Sequence, residues 1–94
     1  MKKPAAPRRP RPVGEHRTKL YLTYPKQLVR EPLLCLLARK FMDIVFNIRG
    51  ASVSEDIGII AIELDGPDET IGRAIIWLRE QGVTVEPIEK NVIE

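Results

Sequence analysis

Asn47 and Arg49 are the two side chains whose types and spacing best suit the binding of a small molecule. They lie two residues apart in a stretch of alternating residues, so they share one face of a predicted strand. The Asn47 amide can bond the carboxylate or amine of a ligand, or it can bond across a subunit interface. Arg49 can pair bidentately with a carboxylate. The alternative for Arg49 is an exposed cation that blunts edge-to-edge strand pairing.

The other reactive residue types do not form a catalytic or metal-binding pattern. Cys35, the single cysteine, lies among leucines and is interpreted as a small buried apolar residue. His16, the single histidine, belongs to the N-terminal segment, so no histidine is available to activate the thiol. One cysteine excludes an internal disulfide and Cys-rich metal sites. We therefore expect neither enzymatic activity nor a cofactor nor a metal site.

The charge of the chain is divided between its N-terminus and its body. Residues 1–17 carry six Lys/Arg against Glu15, a net charge of +5, whereas the nine other Lys/Arg face twelve Asp/Glu, a net charge of −3. Four prolines and no apolar periodicity predict that residues 1–16 are a disordered basic tail and that residues 17–94 form one domain. Such a tail can bind nucleic acid weakly or an acidic protein surface. Neither a membrane span nor a secretory signal is recognisable, and a cytoplasmic location is expected.

Hydrophobic periodicity predicts four strands and two helices in the body. The predicted elements are strand 17–24, helix 32–41, strand 43–53, strand 57–64, helix 68–81 and strand 83–87. Asp68 is the predicted N-cap of the second helix, and Gly82 its left-handed end. The order β-α-β-β-α-β predicts an α+β, ferredoxin-like fold, in which a four-stranded antiparallel sheet carries two helices on one face. The third strand is apolar on both sides and is predicted to be central and covered on both faces.

The face of the sheet without helices is predicted to be too apolar for a monomer. Its apolar members are expected to be Tyr21, Val45, Ile59, Ala61 and Val85. These residues are the predicted contact of a homodimer. RNA-recognition motifs share this topology, but they stack bases on aromatic side chains of the central strands, which this face lacks. Nucleic-acid binding by the sheet is therefore not expected.

A series of short motifs runs in order through the folded part of the sequence. They are LYLTYP at 20–25, EPLL at 31–34, ARKF at 38–41, NI at 47–48, glycine at 58, AIIWL at 74–78 and GV at 82–83. In this order they resemble the NIL domain, a family best known as the C-terminal regulatory domain of the ATP-binding subunit of bacterial methionine importers. The resemblance covers about residues 18–88 and implies a ferredoxin-like fold, a homodimer, and methionine bound at the dimer interface as a feedback signal.

The Asn-Ile-Leu signature that names the family reads Asn47-Ile48-Arg49 in this sequence. The resemblance thus makes these three residues the candidate ligand contacts, with a charge at Arg49 where the family has leucine. The sequence holds no ATPase domain, so a standalone module is expected. Two hypotheses remain. The first is a regulatory module that senses an amino acid such as methionine at a homodimer interface. The second is an adaptor that binds a protein partner through the sheet or the tail and takes no small molecule.

Overall fold

A single antiparallel sheet and two helices make up residues 15–88, the part of the chain that the computed structural model describes. The elements are β1 (Glu15–Tyr24), a 3-10 turn (Lys26–Leu28), α1 (Leu33–Lys40), β2 (Val45–Val53), β3 (Gly58–Pro67), α2 (Asp68–Gln81) and β4 (Thr84–Pro87). The strands lie in the order β2-β3-β1-β4. The predicted α+β, ferredoxin-like arrangement is confirmed, and so is the central position of the third strand.

The core lies between the helices and one face of the sheet. Alternate residues of β1 and β3 point into it, and the helices close it with their apolar stripes. The largest fully buried side chains are Leu20, Leu22, Leu37, Ile62, Leu64 and Leu78. Aliphatic side chains thus fill the layer between the helices and the sheet, and the other face of the sheet is left to other contacts.

Proline and glycine mark the ends of the helices. Pro32 directly precedes α1, where a missing N–H costs no hydrogen bond. Gly82 ends α2 with a φ of 105°, a left-handed conformation that glycine adopts without a steric penalty. The prediction for Asp68 is wrong in detail, because Pro67 occupies the N-cap and Asp68 begins the helix. The Asp68 carboxylate still lies at the positive end of the helix dipole.

Two strands are longer than the sequence predicts. In β1, Glu15 and His16 pair with Pro67 and Gly66, so the strand begins two residues inside the predicted tail and β3 extends beyond Leu64. A Gly-Pro pair is typical of a turn, but Pro67 is the last residue of β3, where a missing N–H is tolerated. The remainder of the predicted tail, residues 1–14, lies outside the described residues, as do residues 89–94.

Candidate ligand-binding and association surface

The sheet face opposite the helices, here called the open face, has an apolar half and a charged half. In the apolar half, Tyr21 of β1 lies directly opposite Ala61 of β3. Ile59 lies two residues before Ala61, on the same face of β3. Tyr21 and Ile59 are 46% and 41% exposed. In the charged half, Lys19 lies opposite Glu63. None of the described elements of this chain covers the open face. In the single chain β3 is therefore covered on its helix side only, whereas the sequence predicts cover on both faces.

Glu63 is the most enclosed charged side chain of the open face. It is only 8% exposed, and it lies directly opposite Asn47 of β2. Arg49 Nη1 lies 3.6 Å from Glu63 Oε1, and Lys19 Nζ lies 4.0 Å from Glu63 Oε2. A carboxylate removed from water needs such partners. Glu63 is not among the predicted site residues, although the alternation of β3 places it two residues beyond Ala61 on the same face.

A β-bulge in β2 sets the position of Arg49. The pairing with β3 shifts between Ile48 and Gly50, so that Gly50 takes the place opposite Ala61 that Arg49 would have in a regular strand. Bulges re-aim side chains in this way. Here the guanidinium reaches back towards Glu63 instead of covering the apolar half of the open face.

The structure brings together two of the three candidate ligand contacts. Asn47 and Arg49 lie on the open face, next to Glu63. Ile48 lies opposite Ile62, which is part of the core, so Ile48 belongs to the helix-covered face and is 49% exposed there. A ligand on the open face would therefore meet Asn47 and Arg49 but not the side chain of Ile48.

One member of the predicted dimer contact lies on the wrong face. Val85 is 4% exposed and lies opposite Leu22, within the core. The four residues of β4 put their one valine inward and expose Thr84 and Glu86, so that Glu86 and not Val85 lies beside Tyr21 on the open face. Val45 is exposed on the open face, but it lies opposite Asp65, at the charged end. Tyr21, Ile59 and Ala61 thus remain as the apolar half.

Cys35 and His16 also differ from expectation. The Cys35 thiol is exposed on α1 instead of buried, because Leu33 and Leu37 take the inward positions of this helix. His16 belongs to β1 and not to a tail.

Within residues 15–88, no three His, Cys, Asp or Glu side chains are grouped closely enough to hold a metal ion. No helix in the same range has the length and apolar character needed to cross a membrane.

Tyr24, at the end of β1, is a buried residue of the helix side whose side chain carries a hydroxyl group. It is 5% exposed, and its hydroxyl has no hydrogen-bond partner among the described residues. Burial raises the pKa of the Tyr24 hydroxyl above the ordinary value of 10.0, because the charged phenolate is poorly solvated inside the protein. An unpaired buried hydroxyl costs about 1–3 kcal/mol.

Tyr24→Phe is expected to make the protein more resistant to alkali. Since the pKa of Tyr24 is higher in the folded state, the folded protein holds the phenolic proton more tightly than the unfolded chain does. The stabilisation that this difference gives is complete below the unfolded pKa of 10.0 and is lost as the pH rises through the folded pKa. Urea unfolding across the alkaline range should show a smaller loss of stability in Tyr24→Phe than in the wild type. Tyr21→Phe, at an exposed tyrosine, is the control. An equal loss in wild type and Tyr24→Phe would contradict the expectation.

Comparison with known proteins agrees with this architecture. The family model of the NIL domain matches residues 18–87. A curated relative, the methionine import ATP-binding protein MetN of Myxococcus xanthus, is 34% identical over 68 residues, which are 69% of this chain and 21% of that protein. The chain thus spans about a fifth of the length of this relative.

A solved structure shares the fold. The C-terminal domain of an ABC transporter ATP-binding protein from Enterococcus faecalis superposes with a TM-score of 0.67 at 19% identity, covering 79% of this chain and 86% of that one. At this identity the likeness concerns the fold alone. The match of the family model, in contrast, extends from β1 to the end of β4 and includes every helix and strand between them. The chain therefore belongs to the NIL domain family.

Proposed function

We propose that this protein is a regulatory module that binds an amino acid, with methionine as the first candidate, where the open faces of two copies meet. The observation that carries the proposal is the group of Asn47, Arg49 and Glu63 beside an uncovered apolar surface. The methionine import protein among the relatives supports the choice of ligand. The module acts by binding and not by catalysis.

The charged half of the open face suits both ends of a zwitterion. Arg49 can donate to the carboxylate of an amino acid, and Glu63 can accept from its ammonium group. The Asn47 side chain, directly opposite Glu63, can donate to the carboxylate or accept from the ammonium group of the amino acid. The ion pair between Arg49 and Glu63 spans 3.6 Å. Its two charges are thus in place before a ligand arrives, and the ligand has to replace only contacts of the same chemistry.

The apolar half of the open face can contact the side chain of the ligand. Ala61 and Ile59 lie two and four residues before Glu63 on the same face of β3, so an aliphatic or thioether chain can extend along β3 away from Glu63. On a single open face such a ligand would remain half solvated. A second copy would cover both the ligand and the exposed rings and methyl groups, and the burial of apolar surface is the main driving force of such association.

Binding of methionine to the wild type and to Asn47→Ala tests the proposed site. Calorimetry should show binding to the wild type, and Asn47→Ala should weaken it by roughly 1–3 kcal/mol, the cost of an unpaired buried polar group. Gln81→Ala is the matched control, because Gln81 is an exposed amide at the end of α2, on the side of the sheet opposite the open face. If neither methionine nor another amino acid produces heat, the amino-acid site is excluded.

Arg49→Leu, which restores the family signature, adds a second measurement at the same site. We expect weaker binding, because the ligand carboxylate loses its cation and Glu63 keeps Lys19 as its cationic partner. Tighter binding would instead mean that Arg49 obstructs the site. The two results therefore distinguish a guanidinium that contacts the ligand from one that obstructs the site.

The second candidate is an adaptor that binds a protein partner without a small molecule. The exposure of Tyr21 and Ile59 supports it equally well, since an apolar patch also suits another protein. An ATP-binding subunit of a transporter in the cytoplasm is the partner that the relatives suggest. A monomeric wild type that binds no amino acid would favour this candidate.

A further inference from the structure

Glu63 faces two cations but supplies only one negative charge. Arg49 Nη1 lies 3.6 Å from one oxygen of its carboxylate, and Lys19 Nζ lies 4.0 Å from the other. Asn47, the uncharged member of the site, lies directly opposite Glu63 on the neighbouring strand. Two cations around one carboxylate leave this part of the open face with an excess of one positive charge.

The neighbouring charges do not remove this excess. The next charged pair along β1 and β3 is Arg17 and Asp65, whose side chains lie 3.6 Å apart and offset each other. Glu86 is exposed on the edge strand β4, and Lys19 has its ion pair with Glu63 and not with Glu86. In the order β2-β3-β1-β4, that strand is three places from β2, about 14 Å across the sheet. Water and salt screen an exposed charge at such a distance.

The two cations are accessible, whereas the carboxylate is not. The side chains of Lys19 and Arg49 are 53% and 58% exposed, and Glu63 is nearly enclosed. A charge-assisted hydrogen bond from nitrogen to oxygen measures about 2.7–2.9 Å. At 3.6 and 4.0 Å, both cations attract Glu63 without donating a hydrogen bond to it. Their N–H groups can therefore donate to a ligand, while an incoming ammonium group would reach Glu63 only past two groups of its own charge.

The excess charge decides which ligand fits best once a second copy covers the site. A zwitterion brings one positive and one negative charge, so the positive excess would remain and would be enclosed in the contact. A ligand with one carboxylate and no ammonium group makes the enclosed charges equal. Because an uncompensated charge removed from water is strongly unfavourable, the second kind of ligand stabilises the covered site more than the first.

We infer that the ligand this site binds most tightly is an apolar monocarboxylate without an ammonium group, of the class of the 2-oxo acids that correspond to apolar amino acids. Its carboxylate accepts hydrogen bonds from Arg49 and Lys19, and Asn47 donates to the 2-oxo group. The apolar chain lies along Ala61 and Ile59, as proposed for methionine. The inference rests on the proposed position of the site between two open faces, and it changes only which ligand fits that site best.

Three compounds that share the methionine side chain test the inference by calorimetry with the full chain near pH 7. Methionine is a zwitterion, its 2-oxo acid carries only the carboxylate, and methioninol carries only the ammonium group. We expect the 2-oxo acid to bind about tenfold more tightly than methionine, a factor between those of exposed and buried ion pairs. Methioninol should bind least. Added salt should weaken the 2-oxo acid more than methionine, because its binding depends on the net charge of the site.

Lys19→Met removes the excess charge and keeps an unbranched side chain. The site then holds Arg49 and Glu63 alone, so the preference for the 2-oxo acid should disappear. Glu63→Gln acts in the opposite direction, because it adds to the positive excess and removes the acceptor of the ammonium group, and it should widen the preference. Lys40→Met is the matched control, since Lys40 is exposed on α1, on the other side of the sheet. This variant should keep the preference of the wild type.

The outcomes separate this inference from the proposed function. If methionine binds as tightly as the 2-oxo acid, or if Lys19→Met leaves the preference unchanged, the inference is overturned and the amino-acid site stands. If the 2-oxo acid binds and methionine does not, the inference stands and methionine is excluded as the ligand. If none of the three compounds binds to the wild type, both are lost. Should Glu63→Gln fail to fold, the result for Lys19→Met decides.

Discussion

Ile59→Lys is expected to convert the protein from a dimer into a monomer. Ile59 lies in the apolar half of the open face, where it is 41% exposed in the single chain. In the proposed dimer a lysine at this position would place an ammonium group without a partner inside the contact. An uncompensated charge at such a place costs about 3–5 kcal/mol, which weakens association on the order of 100-fold or more. Sedimentation velocity at micromolar concentration measures the change.

Ile76→Lys is the matched control for this experiment. Ile76 is also an exposed isoleucine, but it belongs to α2, on the layer opposite the open face. This variant should sediment like the wild type. If the wild type is a monomer at every concentration, or if Ile59→Lys remains a dimer, the open face is not the contact, and the amino-acid site shared between two copies is lost with it.

The element types and their order were predictable because the periodicity in this chain is clear. Alternation in β1 and helical spacing of leucines in α1 leave little choice between strand and helix. The ends of β1 and β3 were less predictable. The sequence around Gly66 and Pro67 has the composition of a turn, and only the pairing with Glu15 and His16 extends both strands. Such pairing is a tertiary contact and leaves no local signal.

The binding site was predictable in part for a similar reason. Asn47 and Arg49 share a face by simple alternation, and the structure keeps them together with Glu63. The bulge after Ile48 has no clear signal in the sequence, yet it decides that Arg49 meets Glu63 and not the apolar half. Val85 was assigned to the wrong face because a strand of four residues offers too few alternations to identify its buried side.

The structure also has a half-open cavity between Tyr24, the start of α1 and Gly58, which was not predictable from the sequence. Its walls come from segments that are far apart along the chain, and the sequence gives no measure of how closely they pack. The exposure of Cys35 has the same origin, since only the packing of α1 shows which of its apolar residues point inward.

Leu22→Ala is expected to cause the largest loss of stability among single substitutions in β1. Leu22 is fully buried and lies between Ile60 of β3 and Val85 of β4. Truncation of a leucine at such a place removes apolar contacts and leaves a void, at a cost of about 2–5 kcal/mol. A domain of this size has a total stability on the order of 5–15 kcal/mol. Leu22→Ala should therefore unfold at a much lower urea concentration than its parent.

Tyr21→Ala, one residue earlier, separates the two faces of the same strand. Tyr21 points to the open face and is 46% exposed, so its truncation should change the stability of a monomer far less than Leu22→Ala does. Both changes would be made in the Ile59→Lys background, because dimer formation stabilises the folded state by mass action and would mix the two effects. In the wild-type background Tyr21→Ala should instead weaken the dimer. Equal losses of monomer stability from the two variants would mean that Tyr21 is part of the folding core, and that the open face is not reserved for binding.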